Sequence, residues 1–174
     1  MSNTLNTTWK IDDTHSEINF KVKHMMISTV TGSFKKFEGR VETSNEDFKN
    51  ASFSFSAVID SVNTNNGDRD KHLKSDDFFG AEKFPKLSFK SKSFDGEKMV
   101  GDLTIKGVSK EVTLETEYNG TAVDPYGQTK AGFEFEGQIS RKDFGLTWSA
   151  VTEAGSIVVS DKVKLIASLQ FIKQ

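Results

Sequence analysis

Three histidines stand where chemistry could begin, and each has carboxylates nearby in the chain. Asp12, Asp13 and Glu17 surround His15, Asp68 and Asp70 precede His72, and His24 lies seven residues after Glu17. Imidazoles and carboxylates together are the donors of zinc sites and the partners of general acid–base catalysis. A zinc site needs about three converging donors. His15 and His24 differ in parity, so a regular strand sends them to opposite faces. The expectation is therefore no metal, with His24 an interior or rim histidine. The stretch "NTNNGDRDKHL" at 63–73 invites comparison with a calcium loop. With Gly67 at the sixth position, the first and twelfth positions are Val62 and Leu73, which offer no carboxylate oxygen, and the pattern fails.

Nucleophilic chemistry has equally little to stand on. The chain has no cysteine, which excludes a disulfide framework, thiolate ligands and a cysteine nucleophile. It also lacks a G-x-S-x-G elbow, a phosphate-binding glycine loop, H-E-x-x-H and G-x-G-x-x-G. The serines of "SFSFS" face outward beside no evident base. The expectation is a protein that is not an enzyme and has no catalytic cofactor. A net charge of -2, with acids and bases interspersed, argues against nucleic acid as a partner. No apolar run approaches the roughly 20 residues of a membrane helix, so no stable membrane insertion is expected. The start, "MSNTLNTTWKIDD", has no basic patch followed by an apolar run, which reads as a cytoplasmic protein.

The elements that hold these residues are strands. Ile18, Phe20, Val22 and His24 alternate with Glu17, Asn19, Lys21 and Lys23, giving one apolar and one charged face. In "VTGSFKKFEGRV" the parity switches, so a bulge is expected near Lys35 and Lys36. Ala51, Phe53, Phe55, Ala57 and Ile59 share a face. The pattern returns at Leu87 and Phe89, at Met99 to Ile105, Val112 to Tyr118 and Ala131 to Ile139, and finally at Val163 to Phe171. Turn signals at "DGEK", "KGVSK" and "DPYGQ" join consecutive strands. Eight strands result. Gly32, Gly101 and Gly137 on inward faces allow tight coiling and favour closure over a sandwich. At about eight strands a barrel either fills with side chains or encloses one small ligand. Alternation does not choose between them.

The choice comes from a resemblance. "WKIDDTHSEINFKVKHMMISTVTGSFKKFEG", "RDKHLKSDDFFGAEKFPKLSFKS", "GDLTIKGVSKEVTL" and "GFEFEGQISRKDFGL" resemble, in order and spacing, the YceI-like family of polyisoprenoid-binding, lipocalin-like proteins. The likeness runs from Trp9 to Phe171. It implies an all-β, lipocalin-like fold: an eight-stranded antiparallel up-and-down barrel, hollow inside. It also implies a long-chain lipid ligand such as a polyisoprenoid, an isoprenoid quinone or a fatty-acid-like amphiphile, carried or stored, and a homodimer. Many members carry an export signal, which this start lacks. Residues 1–8 then read as a flexible N-terminus and 9–174 as a single lipid-binding domain. The alternatives are an enzyme acting on a held lipid, or a filled barrel serving as a stress-related interaction module.

On this reading the cavity wall is drawn mainly from the phenylalanines, fifteen in the chain. Phe20, Val22, Met25, Phe34 and Phe37 supply its first part, and Phe53, Phe55 and Phe89 with Leu103 its middle. Phe133, Phe135, Ile139, Phe144 and Trp148 complete it. A short helical segment near 69–80 covers one end and adds Phe78 and Phe79, with Asp68 and Ser75 as its caps. His24, Arg69, His72 and Arg141 are the candidates to meet a polar head group, with an Arg141–Asp143 ion pair as the alternative role for that arginine.

Overall fold

Period-two alternation becomes a curved wall. The computed structural model describes residues 6–148 and 159–174. In chain order, the first strands are β1 (Thr7–Ile11), β2 (Glu17–His24), β3 (Ser28–Phe34), β4 (Phe37–Thr43), β5 (Ser52–Val58) and β6 (Val62–Asn63). A helix, α1 (Gly67–Lys74), follows. Then come β7 (Lys86–Phe94), β8 (Lys98–Ile105), β9 (Val108–Val123), β10 (Thr129–Ser140) and β11 (Val159–Lys173). β1 continues into β2, β3 into β4, and β5 into β6 across short breaks, so these segments trace eight courses. Each course pairs antiparallel with the next. β11 closes the ring by pairing first with β2 (Ala167 opposite Ile18) and then with β1 (Phe171 opposite Ile11).

The breaks are satisfied rather than frayed. At the first, Asp12 N donates to the Gln170 carbonyl (2.7 Å) and Gln170 N donates to Ser16 Oγ (2.9 Å). The bulge expected at Lys35 and Lys36 is the β3–β4 junction. There Lys35 N donates to the Ser61 carbonyl (3.2 Å) and Lys36 N to Ser61 Oγ (3.0 Å). Ser61 itself belongs to the turn that breaks the third course. With these backbone donors met, the wall bends at the junction without fraying.

Two inward glycines have a steric reason. Gly32 lies opposite Phe20, and the tip of the Phe20 ring occupies the place of a Gly32 side chain, 2.1 Å from where Cβ would stand. At Gly101 a Cβ would meet the Lys90 carbonyl at 2.5 Å and the Phe89 ring at 2.6 Å. Here glycine serves close approach, not flexibility.

The helix differs from the expectation in position and caps. It spans Gly67–Lys74, and the chain from Ser75 to Gly80 continues as turns rather than as a second helical turn. Asn66, not Asp68, is the cap: its side-chain oxygen accepts from Arg69 N (3.0 Å), while Asp68 and Asp70 sit in the first turn where the helix dipole favours anions. Ser75 closes the helix by donating to the His72 carbonyl (2.5 Å), and Gly80, at φ 62°, turns the chain away. The N-terminal boundary also shifts. Thr7 and Thr8, expected in a flexible stretch, pair with Thr43 and Glu42 in β1–β4.

The core is not uniform along the barrel. At the end holding the β4–β5, β7–β8 and β9–β10 turns, Trp9, Phe48, Phe53, Phe94, Phe133 and Phe171 are all buried and ring to ring. Phe133 is the hub, edge-on to Phe48 (5.1 Å), Phe53 (5.3 Å) and Phe171 (5.9 Å) and stacked with Tyr118 (5.0 Å). At the opposite end, beneath α1, the interior opens.

Candidate functional site

The opening is a cavity of about 140 Å³. Its lining is apolar carbon almost throughout, drawn from Phe20, Phe34, Phe55, Phe89, Phe135 and aliphatic side chains of most courses. An apolar cavity of about 150 Å³ stays dry and accepts a benzene-sized guest. The hollow is therefore suited to hydrocarbon rather than to water. Phe55, Val112, Val163 and Leu165 line it and remain only partly buried, because they border free space instead of neighbours.

The roof comes from the segment after α1. Phe78 is buried and Phe79 half-buried; both line the cavity, and Phe79 meets Phe34 edge-on at 5.9 Å. Leu73 of α1 joins them. The helix itself buries no residue. The roof thus rests on Leu73, Phe78 and Phe79 and on a few polar ties, such as Lys106 Nζ donating to the Asp76 carbonyl (2.6 Å). Further ties run from Thr64 to Asp70 and Arg69 and from Lys74 to Asp60, and His72 and Phe78 pack on Trp148.

Beside the roof lies a second hollow of about 200 Å³, sharing Phe20, Val22, Leu73, Phe78 and Val159 with the first. The rest of its lining comes from Val30 and Trp148 and from the polar residues Lys23, His24, Thr64, Arg69 and His72, although the surface facing the hollow is mainly apolar. His72 stands edge-on to Trp148 (4.8 Å) and Phe78 (5.0 Å), and its Nε2 pairs with Asp77 Oδ2 (2.9 Å). Arg69 is exposed and folded back, donating from Nε to Thr64 Oγ1 (2.8 Å) and from a terminal nitrogen to the Thr64 carbonyl (2.6 Å). An apolar cavity and a vestibule that carries a few basic and polar side chains thus share one wall.

The structure divides the residues nominated from sequence. Phe20, Val22, Phe34, Phe53, Phe55, Phe78, Phe79, Phe89, Leu103, Phe135 and Ile139 line the apolar cavity. Trp148, His24, Arg69 and His72 line the vestibule instead. Met25, Phe37, Phe133 and Phe144 stand elsewhere. Met25 lies in the β2–β3 turn with its backbone in the left-handed region and its side chain exposed. Phe37 packs against the core from beyond the β3–β4 break. Phe133 and Phe144, each 1 % exposed, are consumed by packing. The reading also passed over aliphatic lining such as Ile18, Met99, Leu114 and Leu165, although these occupy the same inward parity. Preference for one ring type, not the alternation, missed them.

Arg141 corrects a second expectation. It does not pair with Asp143, which is exposed. It is 4 % exposed, and its guanidinium donates to the carbonyls of Ser160 (3.0 Å), Leu146 (2.6 Å), Trp148 (2.6 Å) and Val159 (3.2 Å). Burial lowers its pKa, partly offset by the charge of Asp161. An arginine nevertheless stays charged at any relevant pH. Its fork ties the turn after β10 to the start of β11. Asp161 is held below the usual carboxylate range, chiefly by the Ser140 hydroxyl.

One cluster has the composition of a catalytic triad without its geometry. Thr14 Oγ1 and Asp12 Oδ2 lie 3.0 and 2.8 Å from the same ring nitrogen of His15, Nδ1. A proton relay needs the two partners on different nitrogens. His15 is exposed, and none of the three residues lines a hollow described above. Asp12 instead accepts from Lys130 Nζ (2.7 Å) and Thr14 and serves the β1–β2 break. Burial alone would raise its pKa, but the Lys130, Thr14 and His15 hydrogen bonds outweigh that and hold the carboxyl far below the usual range. Among the described residues no group of three or more His, Asp or Glu is arranged to hold a metal.

Comparison with known proteins agrees with this architecture. A UPF0312 protein of Staphylococcus aureus (strain N315) is 39% identical over 166 residues, spanning 95% of this chain and 97% of its own. The crystal structure of the Campylobacter jejuni YCEI protein superposes with a TM-score of 0.65 at 35% identity, covering 84% of this chain and 88% of that one. A polyisoprenoid binding domain from Saccharophagus degradans shares the fold with a TM-score of 0.73 at 15% identity, over 95% of this chain and 98% of its own. The family model described as a YceI-like domain matches residues 9–171, and the chain belongs to that family.

Proposed function

We propose that this protein binds one long-chain amphiphile, with the apolar tail in the barrel and the polar head in the vestibule, and acts as its carrier or store. The observation that carries the reading is the shared wall: a nearly all-carbon cavity has Phe20, Val22, Leu73, Phe78 and Val159 in common with a hollow that Lys23, His24, Arg69 and His72 help to line. Each methylene moved from water into such a tube gains about 0.8 kcal/mol, without any hydrogen bond needing to be placed. Only the head requires polar partners. Family membership and the polyisoprenoid binding described for the Saccharophagus domain support a lipid as the ligand. A polyisoprenoid or an isoprenoid quinone fits a wall of rings and branched side chains.

A chain longer than a few isoprene units exceeds a volume of 140 Å³. Loading therefore involves displacement of the roof, of which Leu73, Phe78 and Phe79 face the cavity. Arg141 is left out of the head-group set because its donors are engaged by backbone carbonyls. The test is organic extraction of the purified protein followed by mass spectrometry, with uptake of a long-chain isoprenoid measured alongside. A stoichiometric amphiphile in the extract, or saturable uptake, is the expected outcome. An empty extract together with no uptake would refute the reading.

A further inference from the structure

The turn joining β2 to β3 is built against its own preferences. His24 and Ser28 pair, and the His24 carbonyl accepts from Ile27 N at 3.1 Å, which leaves Met25 and Met26 at the centre of a tight reversal. Their φ angles are 51° and 60°. Such turns are ordinarily made from Asn-Gly or Asp-Gly, because side-chain-bearing residues are strained there. The side chains at the tip are also exposed, Met25 by 38%, Met26 by 65% and Ile27 by 83%. Backbone strain and three consecutive wet apolar residues coincide in one hairpin, and nothing within the described protein offsets either cost.

The location suggests what does. His24, immediately before the tip, lines the vestibule together with Lys23. Val159, its partner on β11, lines both the vestibule and the apolar cavity. The tip therefore stands at the mouth of the tube. Between Phe20 and Gly32 the only formal charges are Lys21 and Lys23, both exposed; Lys21 lies across the sheet from Lys164, whose ammonium is met by Glu136 (2.7 Å), so the collar's net charge rests on Lys21 and Lys23. Apolar side chains projecting beyond a basic collar are the pattern of an element that seats at the boundary of headgroup and acyl chain on an anionic membrane. A second copy of this chain is a poorer occupant. Three side chains fall far short of the roughly 800 Å² per partner that a stable interface buries.

We infer that the Met25–Met26–Ile27 tip, with Lys21 and Lys23, docks the protein on an anionic phospholipid bilayer and holds the mouth of the cavity against the membrane. This placement supplies the route by which a tail passes between bilayer and tube. It shares geometry with the lipid-binding reading, but it is tested separately.

The full chain is sedimented with phosphatidylcholine vesicles and with phosphatidylcholine vesicles containing phosphatidylglycerol. Binding is expected only to the latter, falling with added salt. Met26→Ser with Ile27→Ser should lower the partition at least about tenfold. Met25→Asn with Met26→Gly should lower it as well while raising the melting temperature, because those residues suit the turn. A tip that merely packs within the fold would lose stability in both variants. Absence of vesicle binding by the wild type, or equal binding by the variants, overturns the inference. So does a shift from dimer to monomer in sedimentation equilibrium for a variant whose vesicle binding is unchanged. Uptake of an isoprenoid delivered from ethanol should be the same in wild type and variants. Loss of that uptake in the wild type would count against the cavity reading and leave vesicle docking to stand on its own result.

Discussion

Phe133 and Phe79 stand at opposite ends of one barrel and do different work. Phe133 is 1 % exposed and touches five other rings. Phe79 is half-buried, meets Phe34, and borders empty space. The same residue type seals one end and roofs a hollow at the other. Inward alternation makes both ends apolar, but what the loops contribute decides whether the space is filled. The β4–β5 turn sends Phe48 inward between Trp9, Tyr118 and Phe133. The connection at the other end supplies only a helix with no fully buried residue, whose Leu73 reaches the cavity, and two rings at its exit.

The largest break in this comparison should come from truncation. Phe133→Ala removes a ring from a packed interior and is expected to cost about 3–5 kcal/mol. Phe79→Ala, where free volume already exists, should cost about 1 kcal/mol, because little buried area is lost. Urea titration checks both. The order should reverse in isoprenoid uptake, with Phe79→Ala changing affinity more per unit of stability lost. Equal destabilisation by the two changes would show that the hollow end is packed in solution.

Enlargement is the converse and the next largest effect. Ala131 is 0% exposed and lies opposite Phe171, whereas Ala167 lies opposite Phe135 and lines the cavity. Ala131→Phe should destabilise by about 1–3 kcal/mol or more, since a filled core has no place for the ring. Ala167→Phe should leave the melting temperature within a few degrees of wild type and abolish uptake by occupying the tail's place. Tolerance of Ala131→Phe would remove the distinction between the ends.

How much of this was legible in the chain follows from the same contrast. Alternation at Phe53, Phe55, Phe133 and Phe135 showed that each points inward; the same pattern along the chain set the strand count, the turn signals joined consecutive courses, and the parity switch between Phe34 and Phe37 placed the bulge at Lys35 and Lys36. It did not tell Phe133 from Phe135, one buried in rings and the other on the cavity wall, because they share parity and differ only in depth. Depth depends on Phe48, which lies in a turn where no periodicity speaks for it. Asn66 was hidden as a cap behind Asp68, an equally good capping residue two positions on. Arg141 carried a charge that read as surface, and only the converging carbonyls of Leu146, Trp148, Val159 and Ser160 show why it is buried. The Met25–Met26 turn had no turn chemistry to announce it.

A last and smaller difference concerns acid. The filled end is tied at the β1–β2 break by Asp12, whose side chain is 9% exposed and 2.7 Å from Lys130, with Asp124 a second partner of that lysine at 3.5 Å. The hollow end is tied by Arg141, which does not titrate. Hydrogen bonds from Lys130, Thr14 and His15 depress the Asp12 pKa despite burial. A depressed carboxyl contributes stability that is complete above its unfolded pKa, about 3.9, and is lost progressively as pH falls toward the folded value. Unfolding in mild urea should therefore become easier below about pH 4, and hydrogen exchange should rise first at the amides around Asp12 and Gln170. Asp12→Asn should be less stable than wild type at neutral pH, and the two should converge as the medium is acidified. Asp161 at the hollow end is also depressed, chiefly by Ser140, so some acid sensitivity should persist in the Asn variant. A wild type and an Asp12→Asn variant with parallel stability–pH curves would show that Asp12 does not set the acid response and would move it to the other depressed carboxylates, Asp95, Asp124 and Asp161.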